Sequence, residues 1–356
     1  MSIGAEALIP YLLSWALLAI NAWGGARRWG QPTVVALLLF LTLLIGLRNE
    51  VGGDWSTYLP YVDQQQGAPF AEVFESDELG YALLNWFGAN WGGDIFLVNG
   101  LSALIFSVGL LQFCRAQPLP WLAIALAFPY LVMVVAMGYT RQGVAIGLEF
   151  LALLALERGR LLWFVAWIAL AATFHKTALV LMVLPASTLN PSLRFSQLIR
   201  LSLVAVAGFG LYNALLADSI DSLQSGYLDA SYQSQGALIR VLLCLLPALL
   251  FLLNRRSFGL SPEPLRIWSI LSLATLLASV ALVLSTSSTA VDRISLYLIP
   301  LQLFIGSRLP DTRLFNLTSE RWNQLLIGFS LAVMLVWLLF AATNYAWLPY
   351  RNLLFF

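Results

Sequence analysis

"TVVALLLFLTLLIGLRNEVGGDWSTYLPYV", Thr33 to Val62, decides how the rest of the chain is read. Its first thirteen residues carry neither a charge nor a proline. The run then meets Arg48, Glu50 and Asp54, with the paired glycines Gly52 and Gly53 between them. A helical apolar run that ends abruptly in ionic residues reads as a membrane span reaching a polar interface. Charges crowded against a span end need a reason, and the remaining charges supply one.

Composition sets the class. Sixty per cent of the 356 residues are apolar and 10% are charged, with a mean hydropathy of +0.81. These values define an all-α polytopic membrane protein. A net charge of +1 gives no electrostatic basis for a nucleic-acid partner. The two cysteines, Cys114 and Cys244, sit in or beside apolar runs, so neither a disulfide nor a cysteine metal site is expected. No Lys or Arg precedes the first apolar run, which is therefore expected to stay as a helix and not to be cleaved as a signal. Without repeats or a soluble segment, residues 1–356 read as a single integral membrane domain.

About twelve spans are expected, near 6–25, 32–47, 94–113, 119–137, 141–156, 161–174, 177–190, 199–217, 237–253, 265–285, 293–307 and 323–343. Residues 161–190 are read as two short helices around His175. A continuous helix would bury Lys176 mid-bilayer at a cost of about 3 kcal/mol. It would also invert the sidedness of the later arginines, which otherwise collect on the cytoplasmic side. With the break, 13 basic residues lie inside and 6 outside, and both termini are extracytoplasmic. The six are Arg48, Arg141, Lys176, Arg240, Arg293 and Arg351. The only histidine, His175, and a long loop at about 48–93 share their face.

That outer face holds the candidate chemistry. Segment 48–93, an extracytoplasmic loop or re-entrant insertion, carries seven acids against one base and is rich in aromatic residues, a combination that suits sugar binding or an interfacial aromatic belt with a solvated acidic loop. Gly52-Gly53-Asp54 points to a sharp turn or a close backbone approach. Arg141 and Gln142 open a span, and Glu149 lies about 12 Å deeper by helical rise. His175 suits general acid–base work but cannot alone build a usual zinc site. Asp292 reads as a helix cap or as a functional acid. Arg293, at an unfavourable helix N-terminus, shares a face with Tyr297. Arg240 begins another span, and the acidic loop 218–236 before it reads as solvated.

Arg48, Gly52, Asp54 and Tyr58 form an R-x3-G-x-D-x3-Y pattern. Arg141-Gln142, "FHKTAL" around His175, the Arg293/Tyr297 pair and "WLPYR" follow in order. In this order the chain resembles the EpsG family of Wzy-like exopolysaccharide polymerases over nearly its whole length. The resemblance implies a helical GT-C-like architecture in a bacterial inner membrane, with no cofactor. It implies joining of undecaprenyl-pyrophosphate-linked oligosaccharide repeat units on the extracytoplasmic face, for exopolysaccharide, capsule or O-antigen. A chain-length regulator and a flippase are candidate partners beside the lipid bilayer itself. Arg48, Arg141, Arg240 and Arg293 would bind pyrophosphate, helped by Gln142. Tyr58 and Tyr297 would position sugar or phosphate, and Asp54, His175 or Asp292 would take the acceptor's proton. Lys176 and Glu149 have no place in that pattern. An O-antigen-ligase-like transferase and a non-enzymatic lipid-linked oligosaccharide flippase or exporter are the competing readings. A rhomboid-type protease fails for want of a G-x-S-G motif.

Overall fold

The computed structural model describes residues 5–188, 237–284 and 288–354. The expected span 199–217, the acidic loop 218–236, Arg194 and Arg200 lie outside the described residues. Among the described residues the chain is all-helical, without a strand. The α-helices longer than four residues are α1 (Ile9–Trp23), α2 (Gln31–Gly46), α3 (Trp55–Asp63), α4 (Leu79–Trp91), α5 (Asp94–Arg115), α6 (Pro120–Ala127), α7 (Thr140–Glu157), α8 (Leu161–Ala172), α9 (Ala237–Leu253), α10 (Pro262–Leu284), α11 (Ser288–Ser295), α12 (Pro300–Gly306) and α13 (Ser319–Phe340). A π-helical stretch, Phe128–Ala136, carries α6 toward α7, and a 3-10 helix covers Lys176–Thr188.

Proline marks several starts. α1, α2, α6 and α12 each have one in the first turn, where its missing N–H costs nothing. The expected span 293–307 is not one helix. α11 stops at Ser295, a 3-10 turn covers Leu296–Leu298, and Pro300 restarts the chain as α12, because a proline cannot continue the hydrogen-bond ladder behind it.

Among the described residues three helices, α5, α10 and α13, are long and apolar enough to cross a membrane, and six shorter apolar helices accompany them. They differ in surroundings. The apolar window of α5 is 56% buried in protein, against 28% for α10 and 22% for α13. α7 is buried along almost its whole length. It meets α5 so closely that a Cβ at Gly109 would lie 1.8 Å from the Gly147 carbonyl oxygen, the small-residue contact typical of membrane helices. Leu277, Val283, Val336 and Phe340 on α10 and α13 stay exposed. In water each such side chain would forfeit about 25 cal/mol per Å² of apolar area; against lipid it forfeits nothing. The chain is a membrane protein with α5 and α7 at its centre.

Polar side chains concentrate at the two ends of this core. At one end Arg27 pairs with Asp311 at 2.7 Å, and Arg115 donates to Gln31 at 2.8 Å. Trp268 donates to Glu157, the last residue of α7, at 2.6 Å. The other end surrounds Thr140, the first residue of this 18-residue helix, about 25 Å away along the axis. The C-terminal segment covers that second end. Trp347 is buried and donates from its indole to Met133 O at 2.8 Å. Asn49 N donates to Arg351 O at 3.0 Å, and Leu353 N to Leu47 O at 2.9 Å.

Candidate functional site

The insertion between α2 and α5 folds as α3, a short 3-10 turn and α4, packed against α5, with Glu78, Tyr58 and Tyr81 reaching Arg141 at the start of α7. Its first turn has a steric cause. Gly52 has φ +113°, and a Cβ there would lie 2.1 Å from the Met137 carbonyl oxygen. The close approach anticipated for the glycine pair is thus to the chain's own backbone. It delivers Asp54, whose amide donates to Gly138 O at 3.3 Å.

Arg48 occupies a different place from the one expected of a ligand contact. It is 1% exposed. Its guanidinium donates to Ile45 O at 2.6 Å, Val51 O at 3.0 Å, Thr140 Oγ1 at 2.9 Å and Asn99 Oδ1 at 3.1 Å. These bonds tie α2, α5 and α7 together and leave the planar fork engaged with protein.

Arg141 sits where a ligand can reach it. Its guanidinium carbon lies 5.7, 5.5 and 5.9 Å from the ring centres of Tyr58, Tyr61 and Tyr81, an aromatic surround within cation–π range. One amino nitrogen meets Glu78 Oε2 at 2.5 Å. The other oxygen of Glu78 lies 3.3 Å from His175 Nδ1. Glu78 therefore couples α7 to the turn after α8, and Gly80 N → Thr173 O at 2.9 Å fixes the same junction through the backbone. Burial would raise the Glu78 carboxyl, but the His175 hydrogen bond and the Arg141 charge outweigh it and hold it below the ordinary carboxylate range.

His175 is 7% exposed. Its Nδ1 faces Glu78, and the other ring nitrogen, Nε2, has no hydrogen-bond partner. Its neighbour Lys176 reaches Asp77 at 3.1 Å, which accounts for a charge the family pattern leaves unplaced.

Asp54 is half-buried, and Tyr58 donates to its Oδ2 at 3.4 Å. Burial raises its carboxyl above the ordinary range, against the opposing pull of Arg293 and then Arg141. Tyr58 itself is pushed up to about 12 by burial and by the Asp54 charge. Asp54, Arg141 and Arg293 thus share one field.

The remaining expected residues support this cluster from below. Gln142 donates to Arg293 O at 2.6 Å, clamping α11 onto α7. Tyr297 is 1% exposed and accepts from Thr177 Oγ1 at 3.3 Å. Asp292 lies inside α11, not at its cap, and pairs with Arg240 at 2.7 Å, both side chains almost fully buried. Glu149 is 0% exposed, with neither oxygen hydrogen-bonded.

Sequence reading brought out Asp54, Arg141, His175 and Arg293, and the structure gathers them at one end of the core. It missed the role of Glu78, which stood out only as one acid among seven. The available signal was its position directly ahead of the apolar helix α4, with Tyr81 one turn on.

An all-helical membrane protein that gathers arginines, carboxylates and one histidine at a single end of its bundle defines the class. Within it, the chain belongs to the EpsG family, a Wzy-like polymerase family whose model matches residues 33–352. No curated protein and no solved structure matches it.

Proposed function

We propose that the chain is a polysaccharide polymerase of GT-C-like architecture. It would join undecaprenyl-pyrophosphate-linked repeat units on the extracytoplasmic face of a bacterial inner membrane, with chain-length regulator and flippase as working partners. The observation that carries this reading is the convergence of Arg141, Asp54 and the Glu78–His175 pair at the start of α7. Sidedness follows from the excess of 13 basic residues over 6 on the opposite face.

The reaction moves a glycan from one carrier to another. The acceptor's hydroxyl oxygen forms a bond to the donor's anomeric carbon, the bond from that carbon to the pyrophosphate oxygen breaks, and undecaprenyl pyrophosphate leaves with the bonding pair. Arg141 and Arg293 stabilise the charge that grows on the leaving oxygens, a contribution strengthened where water is scarce. The acceptor's proton passes to Asp54 or to His175 Nε2, worth about 10²–10⁴ in rate. Burial raises the proton affinity of Asp54, which favours it as a base. Arg48 serves the site as a buried fastening of α7.

Arg141→Ala and Arg293→Ala are expected to abolish chain extension in cells while membrane insertion is unchanged. Polymer of normal length from both variants would remove the proposal.

A further inference from the structure

The "WLPYR" motif near the C-terminus takes no part in the Arg141 cluster, yet its tryptophan is among the most enclosed side chains of the fold. Trp347 is 1% exposed. Its carbonyl accepts from Tyr11 OH at 2.9 Å, and its ring stands edge-on to Trp337, with centroids 5.4 Å apart. The indole makes two kinds of contact. Nε1–H, on the five-membered ring, donates to Met133 O in the π-helical stretch at 2.8 Å. The six-membered ring lies against Gly53 and Gly138. A Cβ on Gly53 would lie 3.4 Å from Cη2, and one on Gly138 would lie 2.5 Å from Cζ2. Gly138 thus leaves the room that the ring fills.

These two glycines carry Asp54. Gly53 precedes it, and Gly138 O accepts its amide at 3.3 Å. The residue before Trp347 completes the grip, because Ala346 O accepts from Gly52 N at 2.8 Å. A turn built on two successive glycines has little rigidity of its own. The order of Asp54 must therefore come from what presses on the turn, and the C-terminal segment presses on it through one hydrogen bond and one ring. The indole serves both needs: its N–H fixes the ring on the π-helical stretch, and its carbocycle backs the turn. A phenyl ring would keep apolar contact and lose the donor.

We propose that Trp347 is a positioning residue for Asp54, its ring wedged against Gly53 and Gly138 so that the turn presents the carboxylate to the Arg141 cluster. That Asp54 takes a proton from an acceptor rests on the polymerase reading; the dependence of its position on Trp347 does not.

The test uses the full chain in nanodiscs and two readouts. The first is hydrogen exchange by mass spectrometry, which reports local opening. Trp347→Ala should speed exchange of the Gly52 and Asp54 amides at least about tenfold and leave α4 at wild-type rates. Gly138→Ala keeps the tryptophan but displaces its ring, and should do the same; Trp347→Phe should fall between. Should Trp347→Ala not fold, the other two variants carry the comparison. Unchanged exchange at Gly52 and Asp54, or an equal rise in α4, would overturn the proposal. The second readout is chain extension. Trp347→Ala should lower kcat about a hundredfold with KM little changed, as for a misplaced base. It should cost nothing further once Asp54 is asparagine, because residues that act as a unit are not additive. An equal loss in both backgrounds would make Trp347 structural only and overturn the proposal. A wild type that makes no polymer removes the polymerase reading, and the exchange rates then decide the positioning by themselves.

Discussion

Glutamine in place of Glu78 removes one negative charge and keeps the side-chain volume. It strips Arg141, 2.5 Å away, of its counter-ion and weakens the acceptor for His175 Nδ1. The Arg141 and Glu78 side chains are 26% and 16% exposed, so neither limiting case applies. A fully exposed pair is worth about 0.2–1 kcal/mol, and breaking a fully buried one costs about 3–5 kcal/mol. The expected loss for Glu78→Gln lies between, at about 2 kcal/mol, because glutamine still offers Arg141 a neutral acceptor. The pH dependence has a definite sign. The folded carboxyl is held below its ordinary range, so its stabilisation is fully present above the unfolded value, about 4.3, and fades as pH falls through the lower folded value. Glu78→Gln should lack that acid limb. Cys114 and Cys244 are both free and buried, so a fluorogenic thiol reagent reports unfolding on heating without any added probe. In a double-mutant cycle with Arg141→Gln, the coupling should be at least about 1 kcal/mol. Coupling below about 0.5 kcal/mol, the usual level between independent sites, would refute the claim that Glu78 organises the cluster.

Two further outcomes follow from the same geometry. Gly52→Ala should destabilise the protein by at least about 3 kcal/mol in the same thermal assay, since a methyl group would collide with the Met137 carbonyl at a left-handed φ; an unchanged transition would contradict it. Asp54→Asn should flatten the acid limb of the chain-extension pH profile, because a base with a raised pKa loses activity as pH falls through that value. Its stability effect has the opposite sense: a carboxyl whose folded pKa is raised stabilises the fold as pH falls from the folded toward the unfolded value, and the asparagine variant should lose that gain.

The spans were legible because burial in lipid demands long apolar runs, and 94–113 and 265–285 are such runs. Charge asymmetry also separated the ends of the core. Arg48, Arg141 and Arg293 were grouped on one face, and Thr140 and Gln142 now join Arg48 to Arg293 through a single turn of α7. The arginines could not be told apart by sequence. Arg48 and Arg141 both follow or open an apolar run, yet one is enclosed by carbonyls and the other by tyrosines, a distinction made by tertiary contacts far apart in the chain. Glu78 was hidden for the same reason: its partners lie 63 and 97 residues away. The break at 296–300 was signalled by Pro300, whose effect was masked by the apolar residues around it.

The most direct measurement supplies purified chain, in liposomes, with a single substrate: the lipid-linked repeat unit extracted from cells that lack this protein. The account predicts a ladder of products differing by one repeat unit, one undecaprenyl pyrophosphate released for each bond formed, and no ladder from Arg141→Ala. Movement of the intact unit across the bilayer without any product longer than one repeat would contradict it.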